Sequence, residues 1–152
     1  MKNLKSITQI PVVNKWGDRK VLRTKVVRIQ RHGEIWHCGY VTLSANHPLT
    51  GLYISQDDGS WRRDSYCIDE FIKVHGGITY HVIDDEGNLR LGFDCNHCDD
   101  DESGINDDAS YAIKETESLA SQLTDPNIIK AAMQNCISDL ESKLEYLKSF
   151  RK

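Results

Sequence analysis

The sequence predicts an α+β protein, an antiparallel β-sheet followed by two C-terminal α-helices. Runs of β-branched residues separated by turn signals fill the first two thirds of the chain, whereas the last third has helical periodicity and helix-capping signals. At 152 residues the chain fits a single domain. We expect its sheet portion at about residues 5–97 and its helical portion at about residues 107–150.

The first strands are predicted from β-branched runs. Residues 7–13 are a weak strand candidate, either an edge strand or an arm. Residues 20–29 and 34–43 flank a histidine-glycine turn and predict an antiparallel pair. The second of these runs is apolar on both faces, which indicates a central strand, and Gly39 marks a point where another element approaches the backbone closely.

Polar stretches interrupt the strands. Residues 46–51 and the turn-rich residues 55–65 are predicted to be loops, with Trp61 either packed on the core or acting as a lid. Residues 67–74 form a short strand or one helical turn. The acidic run at residues 99–102 is expected in a solvated loop, with binding of a hard cation as the alternative.

A hairpin organises the middle of the chain. The residues 85–88, Asp-Glu-Gly-Asn, supply turn chemistry between the runs at residues 75–80 and 92–95. The hairpin brings a His-Gly-Gly step close to Asp94 and His97. Those two side chains can meet only if the second strand ends near Cys95, which we expect.

Two helices are predicted at the end of the chain. Asp107 or Asp108 caps a helix that continues to Leu123, and Asp125-Pro126 starts a second helix over residues 127–149. The second helix carries a narrow apolar stripe, predicted to pack on its own domain, with a homo-oligomer through residues 127–149 as the alternative. The stripe consists of Ile129, Met133, Cys136, Leu140, Leu144 and Leu147.

Charge and cysteine usage narrow the class of protein. A net charge of −4 disfavours a nucleic-acid surface, and the chain has no run of eighteen apolar residues for a membrane span. A cytoplasmic protein is therefore expected. Five cysteines without a disulfide framework are expected to be free thiols or metal ligands in a reducing compartment.

The cysteines near His97 suggest two kinds of chemistry. Cys95 and Cys98 have the spacing of half a zinc site, but no second pair completes a structural site. A Cys95 nucleophile with His75 or His97 as its base is chemically allowed. The neighbouring carboxylates work against it, because they disfavour the thiolate.

A polar pocket is the third hypothesis for this region. The pocket would either hold a divalent metal ion or hydrogen-bond a ligand, through the side chains of His75, Asp94, His97 and Asp100. The alternative is that Asp94 and His97 only satisfy backbone groups of their loop. The glycine pair at residues 76–77 allows positive φ and close approach of a ligand to main-chain amides, although a plain turn explains it as well.

Four motifs in order resemble those of a family of small phage-encoded proteins with no established activity. They are GYV at residues 39–41, HPLTG at residues 47–51, HGGITY at residues 75–80, and GFDCNH followed by an aspartate at residues 92–100. The resemblance covers roughly residues 36–123. In similar sequences a small residue is usual at Cys98, a serine is common at His81, and the long second helix is absent, so the resemblance leaves the assembly state open.

The resemblance implies a function in countering host defence. We expect a pocket that binds and sequesters a small nucleotide-like signal in the host cytoplasm, with a metal-dependent hydrolase, or a protein-binding inhibitor that uses the C-terminal helix, as alternatives. No catalytic residue is assigned. The expected ligand-binding residues are Tyr40, His47, His75, Gly76, Gly77, Thr79, Tyr80, Asp94, Cys95 and His97, and the expected metal ligands are His75, Asp94, His97 and Asp100.

Overall fold

The computed structural model describes residues 3–8, 21–56 and 70–151. In these ranges a five-stranded antiparallel sheet with the strand order β1-β2-β3-β5-β4 is followed by C-terminal helices, so the predicted α+β class is confirmed. The strands are β1 (Asn3–Thr8), β2 (Val21–Arg31), β3 (Glu34–Leu43), β4 (Tyr80–Ile83) and β5 (Leu89–Asp94). The helices are α1 (Pro48–Gln56), α2 (Asp100–Ser103), α3 (Ala109–Leu123) and α4 (Pro126–Lys148), and a 3₁₀ turn (Ser149–Arg151) follows α4.

The strand β3 lies at the centre of the sheet, as predicted. It pairs with β2 on one side and with β5 on the other, and α3 packs across β2 and β3. A side chain at Gly39 would collide with Thr116 of α3 and with the ring of Phe93. The glycine therefore allows the close approach of helix and sheet that its position in a strand predicted.

The β4–β5 hairpin is shorter than the sequence predicts. Its turn includes Gly87 at φ +83°, and the Asp84 carboxylate accepts hydrogen bonds from the backbone amides of Glu86 and Asn88, both at 2.9 Å. The strand β4 begins only at Tyr80, however, so the His-Gly-Gly step precedes the strand and forms a turn. The glycine pair adopts positive φ, a conformation that suits a turn.

The segment at residues 46–51, predicted to be a loop, instead leads into the helix α1. Pro48 occupies the first helical position, where its missing N–H costs nothing, and the His47 ring accepts a hydrogen bond from the Leu49 amide at 3.1 Å. Gly51 lies exposed inside the helix, at a cost of about 1 kcal/mol relative to alanine. Tertiary packing of Leu49 and Tyr53 into the core outweighs that cost.

The acidic run at residues 99–102 also differs in part from the prediction of a solvated loop. Asp100 starts the short helix α2 and keeps only 5% of its surface exposed, whereas Asp101 and Glu102 are exposed as expected. The prediction of a solvated loop is therefore wrong for Asp100. A buried carboxylate requires partners, and its partners are histidines.

Both long helices begin where the capping signals predicted. Asp108 accepts a hydrogen bond from the Tyr111 amide at 3.0 Å, and Asp125 accepts one from the Asn127 amide at 2.8 Å, with Pro126 following. Alternate side chains of β5 lie buried in a core that they share with α3 and α4. This core includes Val26, Val41, Leu89, Leu91, Phe93, Leu119, Leu123 and Ile129.

The apolar stripe of α4 packs on the domain only in its first half. Ile129 and Cys136 are buried, but Met133 and every residue from Ile137 to Arg151 are exposed. The first of the two packing alternatives, in which the whole stripe packs on the chain's own domain, is therefore wrong. It would bury Met133, Leu140, Leu144 and Leu147. The reason is geometric, because the helix contacts α1 and α3 and then continues past them.

Some predictions concern residues outside the described ranges. These are the second part of the candidate strand at residues 7–13 and the polar stretch at residues 57–65 with Trp61. Within the described ranges, none of the helices has the length and apolar character that crossing a membrane requires.

Candidate metal and ligand site

Three side chains of α3 hold the loop that carries the His-Gly-Gly turn. The amide group of Gln122 accepts a hydrogen bond from the Lys73 N–H at 2.7 Å and donates one to the Lys73 carbonyl at 2.8 Å. Glu115 accepts a hydrogen bond from the His75 amide at 2.9 Å, and the Tyr111 hydroxyl lies 2.9 Å from Nδ1 of His75. The helix thereby fixes both the backbone and the ring of His75.

Two histidines and one aspartate meet beneath this loop. The Nε2 atom of His75 lies 3.0 and 2.9 Å from the two carboxylate oxygens of Asp100. The Nδ1 atom of His97 lies 3.3 Å from Oδ2 of Asp100, and the His97 backbone amide donates to the same oxygen at 2.8 Å. One potential ligand atom from each residue lies within 4.8 Å of the others.

The two imidazole rings approach edge to face, with centroids 5.2 Å apart. The ring of His97 also contacts the backbone of Gly76, so that a β-carbon there would overlap the ring. Gly76 has φ +67°, which a residue with a side chain rarely adopts. The missing side chain of Gly76 and its positive φ are therefore both needed to place His97 beside His75.

Asp94 lies next to this group but outside it. Its Oδ1 atom accepts a hydrogen bond from the Asn96 amide at 3.1 Å, and its Oδ2 atom accepts one from the Thr79 hydroxyl at 3.2 Å. The distance from Oδ1 to Nδ1 of His97 is 3.9 Å. Three of the four predicted metal ligands thus come together, and Asp94 instead fastens the end of β5 to the neighbouring loop.

Burial and hydrogen bonding act in opposite directions on Asp100. Its buried position alone would raise the pKa, but the hydrogen bonds from the His97 amide and the His75 ring outweigh burial and hold the pKa below its usual value. The carboxylate is therefore ionised at neutral pH. Burial, with a contribution from Glu115, raises the pKa of the Tyr111 hydroxyl, which stays protonated and can donate.

Cys95 is poorly suited to act as a nucleophile. Its side chain is fully buried, and burial together with the negative charge of Asp100 raises the pKa of the thiol to about 12. The thiolate needed for nucleophilic attack is therefore scarce near neutral pH. Cys98 is exposed while Cys95 is buried, and the pair does not share a metal-binding group among the described residues.

Other predicted site residues lie elsewhere. Tyr40 and Tyr80 both flank Gly92 on the sheet face opposite α3, with ring centroids 5.2 Å apart. Burial, followed by the neighbouring Cys38, raises the pKa of Tyr40. His47 is 1% exposed, and its Nε2 atom lies 2.9 Å from the Leu123 carbonyl, so its role is to join α1 to α3. Gly77 has φ +80° and open space around it, which fits a turn.

An open pocket of about 540 Å³ adjoins the histidine-aspartate group at His97. Carboxylates dominate the charged side chains of its lining, so an anion would bind there only with a cation to offset them. The lining includes Glu34, Asn96, His97, Cys98, Asp101 and Asp107.

The residues that position His75 were not predicted from the sequence. Tyr111, Glu115 and Gln122 follow one another at steps of four and seven residues, which places them on one face of α3. That half-buried face carries polar residues beside the apolar face that packs on the sheet, and this pattern was available in the sequence. The partners of this face were not predictable, because the loop that contains Lys73 and His75 lies 36 to 49 residues earlier in the chain.

Comparisons with known proteins give no family for this chain. No protein-family model, no curated protein and no solved structure matches it.

Proposed function

We propose that this protein binds a divalent transition-metal ion through His75, His97 and Asp100 and uses it to hydrolyse a small ligand. The observation that carries the proposal is the convergence of two imidazole nitrogens and one carboxylate within 4.8 Å. Sites with three protein ligands of these types leave coordination positions open for water or substrate, as in catalytic zinc sites.

The spacing of the candidate ligand atoms supports this proposal. Ligand atoms held about 2.1 Å from one tetrahedral ion lie about 3.4 Å apart. The Asp100 oxygens lie 2.9 and 3.0 Å from Nε2 of His75, and one of them lies 3.3 Å from Nδ1 of His97. Small rotations of the side chains would therefore admit an ion.

The surroundings of His75 also resemble those of a metal ligand. A histidine that binds a metal through one ring nitrogen almost always donates its other ring N–H to a hydrogen-bond partner. The Tyr111 hydroxyl lies 2.9 Å from Nδ1 of His75 and would accept that N–H when Nε2, which otherwise donates to Asp100, holds the metal. The ionised state of Asp100 further favours binding of a cation.

The chemistry that such an ion supplies is the activation of water. A bound divalent ion lowers the pKa of its water and supplies hydroxide near neutral pH. Asp94, whose Oδ1 lies 3.9 Å from Nδ1 of His97, is a further carboxylate beside the group and the candidate base for that water. The adjoining pocket would hold the ligand.

The sequestration hypothesis uses the same site without turnover. A nucleotide-like ligand carries negative charge, and the acidic lining of the pocket would repel it. A metal ion at His75, His97 and Asp100 would offset that repulsion and bind phosphate oxygens directly. Both versions therefore require the metal, and they differ only in whether the ligand is cleaved.

Calorimetric titration of the chelator-treated protein with Zn²⁺, Mn²⁺ and Mg²⁺ tests the proposal. We expect one Zn²⁺ per chain and much weaker binding of Mg²⁺, which prefers oxygen ligands. His97→Ala and Asp100→Asn should each weaken Zn²⁺ binding by more than about a hundredfold, because each removes or neutralises a ligand.

A matched control is His32→Asn, which removes an exposed histidine in the turn between β2 and β3. Asparagine tolerates the positive φ of +50° at this position, so the fold should be unaffected. If His32→Asn and His97→Ala bind Zn²⁺ equally, the three residues form only a hydrogen-bond network.

A second experiment distinguishes hydrolysis of the ligand from sequestration. The metal-loaded protein is incubated with the small molecules that copurify with it, and mass spectrometry detects fragments only if the ligand is hydrolysed.

A further inference from the structure

The second half of α4 carries apolar side chains that the other described parts of the chain leave uncovered. Leu140 and Leu147 keep 52% and 64% of their surface exposed, and Ile137 and Leu144 are also exposed. Large apolar residues aligned along one side of a helix are seldom left in water. This surface, which we define as Ile137, Leu140, Leu144 and Leu147, lies on a different element from the metal ligands.

The spacing of these residues is that of a coiled-coil seam. From Met133 they follow at steps of four, three, four and three, so they occupy the two apolar positions of a seven-residue repeat. A helix that packs on a globular core usually shows a wider apolar face. A narrow seam instead fits a second helix of the same spacing, and a second copy of this chain supplies one.

The length of the exposed segment also favours a partner. Residues 137–148 extend past the domain as a helix, with a 3₁₀ turn after them. Isolated helices shorter than about 12–15 residues are marginal in water. Burial of the seam against a second helix would stabilise this segment.

The charges beside the seam distinguish the two possible orientations. In a parallel pair, Lys143 would lie opposite Lys148 of the partner subunit and repel it. In an antiparallel pair, Glu141 lies near Lys148 of the partner subunit, and the reciprocal contact follows by symmetry. This alignment also places Arg151 of the partner subunit, the last residue of the 3₁₀ turn, near Ser138, short of Cys136, where α4 enters its own domain.

The charged residues concerned are available for this contact. Among the described residues, Lys148 pairs only with Glu145 on its own helix, at 3.4 Å and with both side chains exposed. Such surface pairs contribute little and exchange readily. We propose that two copies of this chain form an antiparallel dimer through residues 137–151, which comprise the second half of α4 and the 3₁₀ turn after it.

Sedimentation equilibrium of the full chain tests the dimer. The wild type should form dimers as its concentration rises to about 100 μM, and Leu140→Lys/Leu147→Lys should weaken dimerisation by more than about tenfold, because lysine cannot be buried in the seam. Ser142→Lys adds the same charge on the opposite side of the helix and should leave dimerisation unchanged. A wild type that stays monomeric overturns the proposal, whatever else covers the seam.

Charge reversal tests the orientation. Lys148→Glu should weaken the antiparallel dimer by about two- to fivefold for each pair, and adding Glu141→Lys should restore it. In a parallel dimer Lys148→Glu would instead face Lys143 and strengthen association. Strengthening by Lys148→Glu therefore overturns the antiparallel arrangement.

Discussion

The imidazole ring of His97 lies directly against the backbone of Gly76, so that a single added methyl group at residue 76 would overlap the ring. Gly76 belongs to the turn that also carries His75, whose ring is 5.2 Å from that of His97. The turn therefore sets the separation of the two histidines through a position that has no side chain.

Gly76→Ala is expected to displace His97 and to weaken Zn²⁺ binding by at least about tenfold. The control is Gly77→Ala, since residue 77 also has positive φ, at +80°, but has open space around it. Both substitutions carry the backbone cost of about 1–3 kcal/mol, and only the first moves the ring. Calorimetric titration and thermal unfolding of both variants would separate the two effects. Equal Zn²⁺ affinities would contradict the role assigned to Gly76.

Tyr111→Phe removes the hydroxyl that lies 2.9 Å from Nδ1 of His75 and leaves the aromatic ring in place. We expect Zn²⁺ affinity to fall by about 10–100-fold, as for other partners of metal-bound histidines. Tyr146→Phe, at an exposed position on α4, should have no effect on affinity. If both variants bind Zn²⁺ like the wild type, the hydroxyl does not orient His75.

Phe93→Ala and His97→Ala are expected to differ in stability and in binding. Phe93 is 1% exposed in the core, and its truncation should cost about 3–5 kcal/mol. The His97 side chain is 38% exposed, so His97→Ala should cost about 1 kcal/mol or less while weakening Zn²⁺ binding by more than about a hundredfold. Chemical denaturation measures the free energy of unfolding of both variants.

Asp94→Ala is expected to lose activity while the fold stays intact. Early unfolding of Asp94→Ala or of His97→Ala would mark the replaced residue as structural.

Alkylation at pH 8 should modify Cys98 and spare Cys95 in the folded protein. With its pKa raised to about 12, the Cys95 thiol is ionised in only about one molecule in ten thousand at that pH, and it is also buried. Peptide mass mapping after iodoacetamide treatment reads out both sites, and unfolding in urea should make Cys95 reactive. Equal rates in the folded protein would contradict its burial.

The turn at Asp84 predicts a dependence of stability on acid. Hydrogen bonds from Asn88, and from Glu86 after it, hold the pKa of Asp84 below its usual value. A lowered folded-state pKa stabilises the protein above the unfolded value of about 3.9, and this contribution disappears as the pH falls through the lower folded-state pKa. Asp84→Asn keeps the acceptor but does not titrate. Wild type should therefore unfold at a higher temperature than the variant at pH 7, and the difference should vanish near pH 2.

The regular parts of this fold follow from local sequence signals. Strands β2, β3 and β5 and the caps Asp108 and Asp125 were predictable because β-branched runs and capping side chains act over a few residues. Helix α1 was not, because proline, glycine and threonine at residues 48–51 usually indicate a loop. There the burial of Leu49 decides the structure, and that contact is tertiary.

The candidate site was also predictable in part from local sequence signals. The meeting of His75 with His97 followed from the hairpin, since a short turn relates the two segments. The burial of Asp100 and the roles of Tyr111 and Glu115 depend on how α3 crosses the sheet. No periodicity in the sequence specifies that crossing.

The loop that carries His75 is attached to α3 by side chains. The backbone N–H of Lys73 donates to Gln122, and that of His75 donates to Glu115. Neither amide belongs to the sheet, so the loop can detach from the helix at a lower free energy than global unfolding requires. In hydrogen–deuterium exchange these two amides should therefore exchange by local opening. A ligand that keeps the loop against α3 should slow their exchange before it slows the exchange of amides in any strand.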